Sequence, residues 1–204
     1  GFAHSPWLNF LIPLSSLKTQ WQRLSKARRK GIQHAQNSSI CLRDVSTDRD
    51  LQTLVRLLKL SARRGRYTLQ DHSLFEAIRE YLVPLGFARM VLAETQGEAI
   101  AARIVLTYGG VVYDWYAGSN PERRDTHVDE WVVWELFRWA NEKGFTVFDF
   151  GGAGEPGVPY GPREFKRRFG GEETNLGRFT HPHYSRTLKV AEAVYHLYRG
   201  GERG

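Results

Sequence analysis

The stretch FDFGGAGEPGVPYGPREFKRRFGGE, residues 148–172, decides how this chain is read. It opens as a buried strand, passes through a glycine-rich loop and ends in a basic, aromatic segment. Phe148, Phe150, Phe165 and Phe169 supply apolar anchors. Lys166, Arg167 and Arg168 set positive charge beside seven glycines, among them Gly151 and Gly152. Backbone amides and cations grouped in this way suit an anionic ligand.

Upstream of it, Asp129 to Lys143 reads as a helix with an apolar face of Val132, Val133, Leu136, Phe137 and Ala140. Gly144 ends that helix, and Phe145 to Phe150 forms the strand that enters the loop. Further back the period is two. Ala88–Glu94, Glu98–Tyr108 and Val111–Gly118 read as strands, with turn signals at Thr95-Gln96-Gly97 and Gly109-Gly110, so they form an antiparallel meander. Two helices precede them. One runs from Asp50 to Arg63, capped by Thr47 and Asp48, with Leu51, Leu54, Val55, Leu58 and Ser61 on one face and Gly65 at its end. The other starts at Ser73 and is stopped by Pro84 and Gly86. Ser39–Val45 reads as a short strand, and Leu17–Gln36 as one helix capped by Ser15 or Ser16. That helix carries Lys18, Arg23, Lys26, Arg28, Arg29 and Lys30 with no acid, which suits either a solvated face or phosphate contact. WLNFLIPL, residues 7–14, reads as a strand end or apolar connector. Downstream of the loop, Gly177–Thr180 reads as a short strand and Thr187–Arg199 as a terminal helix, with a fraying GGERG tail. The order gives an α+β domain with a central, mostly antiparallel sheet.

The chain has 204 residues, enough for one sizeable domain. With 41% hydrophobic and 25% charged residues it reads as globular rather than disordered. A net charge of +7 favours an anionic partner or solubility alone. Cys41 is the only cysteine, which excludes an intrachain disulfide and a four-cysteine zinc site. No apolar run is long enough for a transmembrane helix, and Leu8–Leu14 lacks the basic region of a signal peptide, so a cytoplasmic location is expected. The sequence contains no nucleophile elbow, no Gly-x-x-x-x-Gly-Lys-Ser/Thr loop and no His-Glu-x-x-His helix. His181-Pro182-His183 reads as a turn, and no metal site is expected.

Four segments carry a resemblance to a known family. Leu24–Lys30 resembles a basic helix with paired arginines; Ser61-Ala62-Arg63-Arg64-Gly65 resembles an Arg-x-Gly helix end. Phe148-Asp149-Phe150-Gly151-Gly152 after the Trp134–Gly144 helix resembles a "DFGG" strand, and Phe165–Gly171 an "FKxxFGG" segment. Together they resemble the FemABX-like branch of the GNAT acyltransferase superfamily, over roughly residues 1–200. The resemblance implies only the second of two tandem GNAT-like domains. Residues 1–16 are then a connector or remnant of a preceding domain, 17–200 the acyltransferase domain and 201–204 a frayed tail. The first domain would sit on the same or another chain.

The resemblance also implies an activity, transfer of an amino acid from aminoacyl-tRNA to an amine of an anionic muropeptide precursor, with no cofactor. The usual Gln/Arg-x-x-Gly-x-Gly/Ala loop for acyl-CoA is not found. Acetyl-CoA on a small amine is the alternative donor, and a non-catalytic RNA- or phosphate-binding half of a split enzyme is a third reading. No integral membrane segment is expected, while peripheral membrane contact remains open. By resemblance, Lys166 holds an anionic donor near the reaction centre. Asp149 either accepts the amine's proton or holds the glycine turn. Arg63 and Arg64 are candidates for phosphate contact, Arg28 and Arg29 for RNA-backbone or diphosphate contact, with Arg167 and Arg168 as weaker ones. Tyr113 and Trp115 share a strand face and can line a groove, or belong to the core.

Overall fold

The computed structural model describes residues 1–65, 67–181, 183, 189–191 and 194–195. Two strands come first, β1 (Ala3–Ser5) and β2 (Leu8–Pro13). Residues 7–14 are thus chiefly a strand, because Leu8, Phe10 and Ile12 alternate into the core. The single helix expected over 17–36 is two: α1 (Leu17–Arg23) and α2 (Lys26–Gln36). Ser25 makes the break. Its hydroxyl accepts from the Arg28 amide at 3.2 Å, as an N-cap does.

The strand β3 (Ile40–Asp44) leads to α3 (Asp48–Gly65). Thr47 and Asp50 cap it reciprocally: Asp50 N–H donates to Thr47 Oγ1 at 3.1 Å and Thr47 N–H to Asp50 Oδ2 at 2.9 Å. The apolar face expected for α3 is buried throughout, Ser61 included. The next helix, α4 (His72–Ala77), runs on through one wide turn, Ile78–Leu82. The meander follows as β4 (Ala88–Thr95), β5 (Glu98–Tyr108) and β6 (Val111–Ser119). After α5 (Val128–Glu142) and β7 (Val147–Gly152) come α6 (Gly161–Arg167), β8 (Glu172–Asn175) and β9 (Arg178–Thr180). The helix α6 is a correction, since the segment reads as loop. It starts where Pro162 occupies the first turn, a position that needs no amide donor. The terminal helix expected over 187–199 and the tail lie largely outside the described residues.

Among the described residues, seven strands form the main sheet in the order β3-β4-β5-β6-β7-β2-β8, and β1 pairs with β9 apart from it. Every neighbour is antiparallel except β6 and β7, which are parallel. One face is covered by α2 and α5, with Ile32, Val105, Val112, Phe137 and Phe148 in its core. The other is covered by α3 and α4, around Leu54, Leu58, Phe75, Leu92 and Ile104.

Candidate active site

The parallel pair does not stay together. β6 and β7 match only over Val111–Tyr113 against Val147–Asp149, and then part. Each strand has a local cause. In β6 the register against β5 shifts between Val105↔Asp114 and Ile104↔Tyr116, so Trp115 is an extra residue, a bulge that increases twist. In β7 the chain turns at Gly151, whose φ of 67° favours glycine. A wedge opens between the strand ends. The bulge also decides what fills it: Asp114 and Ala117 lie opposite Val105 and Arg103 on one face, while Tyr113, opposite Leu106, and Tyr116, opposite Ile104, lie on the other.

The helix α6 closes the wedge. Phe169 is buried and Phe165 packs against the same core, with Lys166 between them. Lys166 Nζ donates to the carbonyls of Phe150 and Gly152, both at 2.7 Å, with Gly151 O at a long 3.5 Å. Burial holds its ammonium below the ordinary lysine range, against the pull of Asp114 and Asp149. Deeper in, Arg103 Nη1 meets Asp114 Oδ2 at 3.2 Å, with both side chains nine-tenths or more buried. Burial raises the Asp114 carboxyl, and Arg103 and then Lys166 oppose that rise.

Two clefts meet here. The larger, about 590 Å³, includes Ser61, Arg64, Arg103, Asp129 and Phe165 in its wall. The smaller, about 310 Å³, includes Tyr67, Tyr113, Trp115, Gly151, Gly152 and Tyr160. Asp114, Ala117, Phe150, Pro162 and Lys166 border both. In the larger cleft Ser119 Oγ donates to Asp129 at 2.8 Å, and Arg64 Nη2 donates to Ser61 Oγ at 3.3 Å.

The sequence candidates therefore separate. Lys166, Tyr113, Trp115, Gly151, Gly152 and Arg64 come together at the wedge. Arg63 is exposed on the same helix end and borders neither cleft. Asp149 sits beneath the turn: Gly151 N–H donates to it at 2.7 Å and Asn9 Nδ2 at 3.2 Å, the bonds of a carboxylate that holds the loop. Arg28 is turned inward. It is 5% exposed, pairs with Glu130 at 2.5 Å, donates to Phe165 O at 3.1 Å and stacks on Phe165 and Phe169. Its charge fastens α2 to α5 and α6 rather than facing a phosphate. Arg29 Nη1 donates to the Leu24 and Gln22 carbonyls at 2.6 and 3.1 Å and so closes the end of α1. Arg167 and Arg168 are exposed and pair with Glu164, a surface contact that leaves them accessible. Arg103, Asp114 and Asp129 were not among the sequence candidates. The signal was an arginine inside the otherwise apolar run Ala99–Leu106, since a buried charge requires a partner.

Among the described residues no group of three or more His, Cys, Asp or Glu side chains is placed to hold a metal ion, and no helix is long and apolar enough to cross a membrane.

A family model described as an acetyltransferase (GNAT) domain matches residues 19–167. The structure is similar to that of FemX, with a TM-score of 0.76 at 16% identity over 90% of this chain and 63% of that one. It is also similar to the C-terminal domain of a protein assigned as a lysylphosphatidylglycerol synthetase from Agrobacterium fabrum, with a TM-score of 0.65 at 11% identity over 96% of this chain and 67% of that one. L-PGS from Bacillus licheniformis gives a TM-score of 0.60 at 15% identity over 94% and 66%. Identities this low carry the fold alone, and this chain spans less than two thirds of the FemX chain. No curated protein sequence matches it.

Proposed function

The chain belongs to the acetyltransferase (GNAT) domain family, and on that footing we propose that this acyltransferase moves an amino acid from aminoacyl-tRNA to an amine of a peptidoglycan precursor peptide. The observation that carries the reading is the position of Lys166. The lysine of the FKxxFGG segment stands at the parting of β6 and β7, where both clefts meet. A donor entering one cleft and an acceptor entering the other would meet beside it.

The chemistry needs no covalent intermediate. The amine's lone pair attacks the ester carbonyl carbon, a C–N bond forms, the C–O bond breaks, and the ribose oxygen leaves with a proton. Positioning and charge stabilisation are enough to drive it. Lys166 has three N–H donors. Two are held at 2.7 Å, and the third faces Gly151 O at 3.5 Å, beyond ordinary hydrogen-bond range. That donor is available to a developing oxyanion or a donor phosphate. Arg64 supplies a second cation at the larger cleft.

An aminoacyl donor is preferred to acetyl-CoA for two reasons. The first turn of α5 carries Asp129 and Glu130 at the helix end that would otherwise attract a diphosphate. One structural neighbour's name contains lysylphosphatidylglycerol, a word that includes an aminoacyl group. Such a donor and precursor place the reaction in the cytoplasm, with a preceding GNAT-like domain, on this or another chain, completing the acceptor site.

The test is incubation of the purified chain with labelled aminoacyl-tRNA or acetyl-CoA and a UDP-linked muropeptide. Transfer from tRNA supports the reading, and transfer from acetyl-CoA alone replaces it with the N-acetyltransferase one. Binding of tRNA without transfer assigns the chain to a half-site.

A further inference from the structure

Asp114 uses only one of its two carboxylate oxygens. Oδ2 receives Arg103 Nη1 at 3.2 Å. Oδ1 is buried and, among the described residues, has no hydrogen-bond partner. The side chain is 10% exposed, yet it borders both clefts. A buried carboxylate oxygen without a donor is costly to maintain. Neither neighbouring donor bonds to Oδ1: Lys166 Nζ holds the Phe150 and Gly152 carbonyls at 2.7 Å, and Ser119 Oγ holds Asp129 at 2.8 Å. The charged groups facing Asp114 are Arg103 from β5, Lys166 from α6, Asp129 from α5 and Asp149 from β7. The position thus presents an unfilled anionic acceptor at the junction where two substrates would meet.

We infer that Asp114 Oδ1 is the acceptor for a primary ammonium group carried by a substrate. An ammonium brings both the missing donor and a compensating charge, which a neutral hydroxyl does not. Arg103 is then a positioning residue that engages the other oxygen and leaves Oδ1 without a donor. The inference rests on the aminoacyl-transfer reading only for its two sources of the group. An aminoacyl ester carries an α-ammonium beside the reacting carbonyl, and the acceptor peptide carries an amine. An acetyl donor carries neither, so the same atom would discriminate aminoacyl from acetyl donors. Burial raises the Asp114 carboxyl, and an arriving cation would favour its ionised form.

The test is a carbon-13 NMR titration of the aspartate carboxyl signals in the intact chain. The Asp114 signal is identified by its loss in Asp114→Asn, or in Asp114→Glu should the first variant not fold. Three probes are added to the wild type: alaninamide, with a donor-like α-ammonium; Nα-acetyllysinamide, with an acceptor-like side-chain ammonium; and N-acetylalaninamide, with none. The expected result is a saturable shift of the Asp114 signal with one of the first two and none with the third. A response to alaninamide assigns the donor, and a response to Nα-acetyllysinamide the acceptor. No saturable response to either ammonium, or an equal response to N-acetylalaninamide, overturns the inference. Transfer from aminoacyl-tRNA without an ammonium response would refute the role of Asp114 and leave the proposed function standing. A response without transfer would do the reverse.

Discussion

Replacing Lys166 with methionine keeps an unbranched stem one atom shorter and removes the ammonium. In the folded chain that ammonium joins α6 to the end of β7 through the Phe150 and Gly152 carbonyls, both at 2.7 Å. Hydrogen bonds to a charged donor contribute roughly 1.5–3 kcal/mol each. The two do not sum fully, because the variant no longer buries a charge and because Lys166 borders open clefts where water can take over a carbonyl. The expected loss is therefore about one bond, roughly 1.5–3 kcal/mol, or a fall in melting temperature of about 3–12 °C for a domain of this size. Activity should fall further. Losing a preorganised donor at a developing oxyanion lowers kcat about 100- to 1000-fold. The assay pairs a thermal melt with single-turnover transfer at a temperature where the variant is folded. Full transfer by the folded variant would refute the catalytic role, and an unchanged melting temperature would refute the structural one.

Arg28→Met should destabilise the fold by about 2–4 kcal/mol in urea, since it leaves Glu130 without its buried partner and Phe165 O without its donor; a variant as stable as wild type but deficient in RNA binding would restore the phosphate-contact reading. Asp50 accounts for part of the acid sensitivity. The Arg43 guanidinium, and then the Thr47 and Ser46 amides, hold its carboxyl well below the usual range, so its contribution to stability is present above the unfolded value of about 4 and is lost as pH falls below it. Urea denaturation between about pH 3 and 7 should show a shallower acid slope in Asp50→Asn, and an identical slope would remove Asp50 from the account.

The parts of the fold that rest on local chemistry are legible in the sequence. The meander was visible because Gln96-Gly97 and Gly109-Gly110 supply the positive φ of its turns. The buried faces of α3 and α5 followed from spacing alone. The break at Ser25 was hidden, because a serine in a basic run reads equally as helix interior. What fixes it is distant: Ser25 N–H donates to Arg168 O at 3.0 Å, and a Cβ on Gly170, φ 78°, would fall on the Arg23 carbonyl. Strand order was not legible either, since nothing local places β2 between β7 and β8. At the site, the FKxxFGG segment pointed to Lys166. Neither the direction of Arg28 nor the Arg103–Asp114 pair could be seen, because both depend on which strand faces which helix. A one-residue bulge at Trp115 decides that for Asp114.

The central claim is that acyl transfer takes place where β6 and β7 part. Ala117 borders both clefts there, so Ala117→Phe would fill the junction while leaving Lys166, Asp114 and the surface arginines unsubstituted. The decisive measurement is single-turnover transfer from labelled aminoacyl-tRNA to the muropeptide acceptor by wild type and by this variant, with folding checked by its melting curve. The account predicts transfer by the wild type and its loss, with tRNA binding retained, in a folded Ala117→Phe chain. Equal transfer by both would contradict it.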